Sequence, residues 1–233
     1  MVGIIIQLLI SFFIIYWLKR ENLSVLGLKP TLPRIKYFIL FLFIAGFCSS
    51  ITFLLRMFFA KESWHINSSL NWGLLGNGVL YNFKSVLYEE LIFRGVLFYL
   101  LIKRFGGKVA ILISATAFGI YHWFTYEIFD NPINMAWIFF ITGTAGVVYG
   151  IGYLKSGSLL APIGMHFGWN FVNAFVFSNG NTGQGIFVQD LPAPQVQVSY
   201  LVYFLVTFFH FILFAIIPIL LLRNKADAIV KDQ

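Results

Sequence analysis

A succession of long apolar runs, each parted from the next by a short polar or basic stretch, constrains this chain more than any other feature. The runs fall at roughly 3–18, 37–59, 71–102, 108–125, 134–153, 158–178 and 198–222, close to the about 20 residues a helix needs to cross the hydrocarbon core of a bilayer. Inside lipid every backbone N–H and C=O must be satisfied within the protein, so such runs fold as helices. The expected fold is therefore all-α, a polytopic membrane bundle with about seven transmembrane helices. Composition agrees, because a chain that is 59% hydrophobic and only 11% charged is too apolar for a soluble globular domain. No linker, repeat or low-complexity tract divides it, and residues 1–233 read as one membrane-embedded domain.

A formal charge of +7 raises the question of nucleic acid, and the distribution of the charge answers it. Twelve of the 16 Lys and Arg sit in short stretches beside apolar runs, at Lys19 to Lys36, Lys103 to Lys108, Lys155 and Arg223 to Lys231. That alternation follows the positive-inside rule and marks those stretches as cytoplasmic. The N-terminus is then expected outside and the C-terminus inside, in what reads as a bacterial cell membrane, with the bilayer and no nucleic acid as partner. The run Gly3 to Leu18 has no preceding positive charge and is followed at once by Lys19-Arg20, so it reads as a first membrane helix and not as a cleavable signal.

Shorter features carry plainer expectations. Leu23 to Lys36, with Gly27, Pro30 and Pro33, reads as a cytoplasmic anchoring segment holding a short interfacial helix. Cys48 reads as packing, Arg56 as an interface residue that snorkels, His65 as a solvated loop histidine and His210 as packing. Lys84 reads as lining a wet cavity or pairing with another helix. The third run begins with Asn71, Gly73, Gly76, Asn77, Gly78 and Asn82, so it is either strongly tilted or irregular in its first half. Asn179 to Val198 reads as an outside loop. Gly143, Gly146 and Gly150 form a small-residue face for close helix approach.

Against this background the ionisable residues within the runs stand out, since a charge at membrane depth is expensive and marks a functional site by default. Tyr88-Glu89-Glu90-Leu91-Ile92-Phe93-Arg94-Gly95 holds two carboxylates and a guanidinium. Glu90 and Arg94, four apart, share a helix face and suit an ion pair. Glu89 and Arg94, five apart, diverge by about 140°, which leaves Glu89 the freer acid. His122 lies in the fourth run, and His166 and Asn170, four apart, face one way in the sixth. Straight helix rise puts Glu89 about 21 Å from Lys103, His122 about 21 Å from Lys108 and His166 about 16 Å from Lys155, a common depth for three helices.

A carboxylate, two imidazoles and a carboxamide in a low-dielectric site are the parts needed to hydrolyse an amide. Glu89 would act as general base towards a water shared with His122, and His166 and Asn170 would donate to the developing oxyanion. No cofactor is required on that reading. Glu89, His122 and His166 are also a ligand set that suits zinc, so a metal-activated water stands as the alternative. Serine chemistry is disfavoured: Ser85 and Ser114 lack a nucleophile-elbow pattern.

Glu-Glu-x-x-x-Arg at Glu89–Arg94, Phe-x-x-x-His at Phe118–His122 and His-x-x-x-Asn at His166–Asn170, in that order, resemble the CPBP family, which comprises CAAX-type prenyl endopeptidases and the Abi-type bacteriocin-processing and self-immunity proteases. The motif-bearing core covers about residues 70–178. The resemblance implies an all-helical intramembrane endopeptidase in which Glu89 and His122 activate water, His166 and Asn170 form the oxyanion site, and Glu90 and Arg94 support them. It leaves glutamate-protease and metalloprotease chemistry both open. The implied substrate is a peptide or membrane protein; neither its prenylation nor the oligomeric state follows. The rival reading is a non-enzymatic membrane protein that binds a peptide or partner through the same polar cluster.

Overall fold

The computed structural model describes residues 2–178 and 185–229. Helix dominates: α1 (Val2–Lys19), α2 (Leu32–Phe59), α3 (Trp72–Phe93), α4 (Val96–Phe105), α5 (Gly107–Thr125), α6 (Pro132–Ser156), α7 (Leu160–Phe171), α8 (Tyr200–Phe204) and α9 (His210–Leu222). Four helical stretches combine the length and hydropathy of a membrane span: Val2–Lys19, Leu32–Phe59, Pro132–Ser156 and Tyr200–Leu222, with mean hydropathies of 2.1, 2.5, 1.5 and 2.7. Helix α1 buries only Ile4 and Ile15 and turns Ile5, Ile6, Leu9, Ile10 and Phe13 outward. A surface of that kind is stable only against lipid.

The expected third run of 71–102 is corrected to two helices. Its first half is regular, since α3 runs unbroken from Trp72 to Phe93. The break comes later, at Arg94-Gly95, where a Cβ on Gly95 would lie 2.0 Å from the Leu91 carbonyl oxygen. Only glycine passes the backbone that closely. The Phe93 carbonyl at the helix end is satisfied by the Ser114 hydroxyl at 2.6 Å, as a buried acceptor requires. The depth figures change accordingly, because neither Glu89 to Lys103 nor Lys155 to His166 lies on one helix, whereas Lys108 to His122 does.

The chain packs as two compact units. The first comprises Met1–Ile39, Leu87–Ile163 and Pro218–Gln233. Here Leu23–Leu26 forms a single 3-10 turn, capped by the Asn22 side chain and closed by Gly27 at φ +62°. This turn is anchored to the end of α6 and the turn after it: the Ser158 hydroxyl donates to the Gly27 carbonyl, the Leu159 N–H to the Leu26 carbonyl and the Tyr153 hydroxyl to the Val25 carbonyl. The α5–α6 contact uses the expected glycine face. A Cβ on Gly146 would meet Ala115 Cα at 3.0 Å and Arg94 Nη2 at 3.1 Å, and one on Gly150 would meet Ile111 at 3.1 Å.

The second unit comprises Leu40–Val86 and Gly164–Ile217. Within it α2 and α7 touch backbone to backbone, since a Cβ on Gly168 would lie 2.2 Å from the Leu42 carbonyl oxygen. Helix α7 passes into a π-helical turn, Val172–Val176, and a second π turn, Leu205–Phe209, precedes α9. A small sheet forms from β1 (Trp64–Ile66), β2 (Phe177–Ser178) and β3 (Phe187–Gln189), with β3 central, antiparallel to β1 and parallel to β2. It closes over Phe53, Val172 and Phe177.

This sheet corrects several expectations. His65 is not a loop residue but lies on β1, where its Nδ1 pairs with Asp190 at 2.6 Å while its side chain stays 57% exposed. Arg56, expected at the interface, pairs with Glu62 at 2.8 Å. Part of the expected loop 179–198 is strand β3; positions 179–184 lie outside the described residues. Lys84 is exposed. Cys48 is buried, and His210 stacks on the Trp169 ring, 5.5 Å away at 13°.

Candidate active site

Glu90 and Arg94 form the expected pair. Arg94 Nη1 donates to Glu90 Oε1 at 3.2 Å with both side chains 0% exposed, and Nη2 donates to the Gly146 carbonyl at 3.2 Å. The guanidinium lies 4.3 Å from the Phe118 ring centre and 5.1 Å from that of Tyr149. Its charge is thus met by a carboxylate, a carbonyl dipole and two ring faces, which suits a cation withdrawn from water.

His122 also packs on Phe118, ring centres 4.5 Å apart. Phe118 therefore touches both the imidazole and the guanidinium. Only 8% of His122 is exposed, and its Nδ1 lies 2.8 Å from the Phe118 carbonyl oxygen. A carbonyl only accepts, so Nδ1 carries the hydrogen and the neutral ring presents its lone pair at Nε2. One helical turn supplies both partner and tautomer.

Glu89 is half-buried, with Oε2 shielded from solvent. Sequence reasoning missed its neighbour Tyr126. That residue caps α5, its ring is 5.8 Å from His122, and its hydroxyl is held above the ordinary phenol range, first by burial and then by the Glu89 carboxylate. Tyr126 thus touches the His122 ring and feels the Glu89 carboxylate electrostatically. Its place four residues beyond His122 was the available signal, since such spacing puts two side chains on one helix face.

Glu89, Glu90, Arg94 and His122 all belong to the first compact unit, and His166 and Asn170 to the second. The Asn170 carboxamide Nδ2 donates to His166 Nε2 at 3.1 Å, with His166 only 3% exposed. In that arrangement Nε2 accepts and the His166 ring hydrogen is on Nδ1. Among the described residues no three His, Cys, Asp or Glu side chains are grouped to hold a metal ion.

Helices with lipid-facing apolar surfaces, enclosing a buried ion pair and a tautomer-fixed histidine, define an all-α integral membrane protein with an ionisable centre. Residues 71–172 match the family model of Rce1-like type II CAAX prenyl endopeptidases, which spans all three motifs. This stretch is similar to that family, in keeping with the three motifs, and the similarity supports a protease in general terms. No curated protein and no solved structure matches the chain.

Proposed function

We propose that the protein is an intramembrane endopeptidase that cleaves a peptide bond with a water activated by Glu89 and His122. The observation that carries the reading is the His122 tautomer: Nδ1–H is committed to the Phe118 carbonyl, so Nε2 is the basic nitrogen, and Tyr126 in ring contact with His122 feels the Glu89 carboxylate electrostatically. Glu89 takes a proton from water as the oxygen attacks the scissile carbonyl, and Nε2 of His122 orients that water. The tetrahedral oxyanion accepts hydrogen bonds from His166 and Asn170. Glu89, now protonated, delivers its proton to the departing amine, and the peptide bond breaks. Glu90 and Arg94 hold the α3 terminus and, through Phe118, the imidazole.

No step is routed through a metal. The substrate is a peptide or membrane protein. The chain lies in a bacterial cell membrane with its N-terminus outside and its C-terminus cytoplasmic, as the distribution of Lys and Arg supports. Peptide maturation and bacteriocin self-immunity are the roles such a protease would serve.

The test is cleavage of a quenched-fluorophore peptide library by the purified full-length protein, with and without a chelator. Wild type cleaves, and Glu89→Gln and His122→Ala proteins that elute as folded, monodisperse species do not. Full cleavage by Glu89→Gln sinks the reading; loss of cleavage with chelator replaces it by the metalloprotease form.

A further inference from the structure

The sheet of the second unit is unequal at its two margins. Its order is β1-β3-β2; Phe177 and Ser178 of β2 are buried, whereas His65 and Ile66 of β1 are exposed, Ile66 at 64%. The ladder fixes which backbone groups of β1 face β3. The Asp190 N–H donates to the Ser63 carbonyl and the Asn67 N–H to the Ile186 carbonyl, both at 2.9 Å, with Trp64 opposite Gln189 and Ile66 opposite Phe187. Inward bonding therefore falls on Ser63, His65 and Asn67, and the N–H and C=O groups of Trp64 and Ile66 point away from the sheet. Among the described residues nothing pairs with those four groups. Ser63 to Asn67 holds neither Lys nor Pro, the usual means of blunting such an edge.

We infer that the outer edge of β1 binds an extended peptide segment, which adds to the sheet as a fourth strand beside Trp64 and Ile66. The occupant follows from what the edge offers. Donors and acceptors that recur at every second residue match the backbone of a strand, whereas an acyl chain would leave them unpaired. Side chains set the pattern of that strand. Trp64 packs edge-on against Phe53 and Phe177, Ile66 shares its face by the strand period, and His65 pairs with Asp190 on the other face. An incoming strand is thus expected to put apolar side chains beside Ile66 and polar ones beside His65. The inference rests on the proteolysis reading for the nature of its peptide. A helix keeps each carbonyl bonded to an N–H four residues on, so a membrane segment must unwind before it is cut, and the freed amides need partners where water is scarce. An open strand edge supplies them. The edge lies wholly in the second unit and asks nothing of Glu89 or His122.

Binding tests the edge apart from cleavage. A short fluorescein-labelled peptide alternating Val and Thr is titrated by fluorescence anisotropy into full-length protein carrying Glu89→Gln, and its cleavage is followed in parallel with Glu89 intact. Two N-methylated forms of the peptide, each blocked at one alternate set of amides, are compared with it. One form is expected to lose binding and the other to keep it, because only one set of amides faces β1. Ile66→Pro removes an outward N–H while sparing the inward ladder, and it should weaken the peptide by about two- to tenfold, the scale of one net hydrogen bond. Ile66→Lys, at an exposed position, blunts the edge through its side chain and keeps the test open where Ile66→Pro fails to fold. One-sided sensitivity to N-methylation that these variants weaken, without cleavage by the Glu89 protein, supports the edge and overturns the protease reading. Cleavage with binding that neither the N-methyl groups nor the folded variants alter overturns the edge alone. Absence of binding overturns it as well, and so does a change of oligomer size in Ile66→Lys with no peptide bound, which assigns the edge to a second copy of this chain.

Discussion

Arg94 and Glu90 meet at 3.2 Å, one helical turn apart, with neither side chain reaching solvent. The pair shares its surroundings with Phe118, whose ring is in contact with both the guanidinium and His122. A charge network and a candidate catalytic imidazole are thus packed on one aromatic side chain. Disturbance of either is transmitted through Phe118.

Removing one partner of this pair leaves an uncompensated buried charge. Glu90→Met and Arg94→Leu are each expected to destabilise the protein by about 3–5 kcal/mol, whereas the double replacement Glu90→Met, Arg94→Leu recovers most of that loss. Denaturant unfolding in a fixed detergent measures all three. Additive single-variant losses would show that the two side chains do not act as a pair.

The exposed pair between His65 and Asp190 provides the contrast. At 57% and 52% exposure, its 2.6 Å contact is screened by water. His65→Ala or Asp190→Asn should change stability by at most about 1 kcal/mol, diminishing further in high salt. A loss comparable to that of the buried pair would contradict this ranking.

Gly146 is held by close approach and not by backbone conformation. A Cβ would press on Ala115 and on Arg94 Nη2 at once, so Gly146→Val forces α5 and α6 apart, with an expected loss of about 1–3 kcal/mol or more. Gly146→Ala should lose less, and it should also reduce cleavage if Arg94 positions His122 through Phe118. The unfolding midpoint and kcat/KM, measured on the same preparations, separate the two effects.

Substitution at the proposed general base should lower kcat by about 10²–10⁴-fold, the usual range for a positioned acid or base. Glu89→Gln and His122→Ala are expected to be non-additive, because both act on one water. Near-additive losses in the double variant would assign the two residues to separate steps.

Tyr126 gives a signed pH prediction. Its hydroxyl is held above the ordinary phenol range, although the residue as a whole is 56% exposed. The folded protein therefore holds this proton more tightly than the unfolded chain. The associated stability is present below the unfolded value of about 10 and is lost as pH rises through the folded value. Between about pH 9 and pH 11 the melting midpoint of wild type should fall more than that of Tyr126→Phe. Equal falls would remove Tyr126 from the neighbourhood of Glu89.

Sequence by itself determined what rests on local spacing and on the solvent demanded by composition. Apolar runs required helices in lipid, the four-residue interval placed Glu90 against Arg94 and His166 against Asn170, and the glycine series on α6 gave its close face to α5. Tertiary structure decided the rest, because contacts between distant segments leave no periodic trace in the chain. The break at Gly95 depends on the Leu91 carbonyl passing too close for a Cβ, with Ser114, 21 residues on, capping the Phe93 carbonyl. Arg94 reaches Gly146 across 52 residues, and His65 meets Asp190 across 125. Such pairings exist only once helices and strands have packed. The same packing leaves Tyr126 against the His122 ring and within the field of the Glu89 carboxylate, a neighbourhood that spacing alone could not complete.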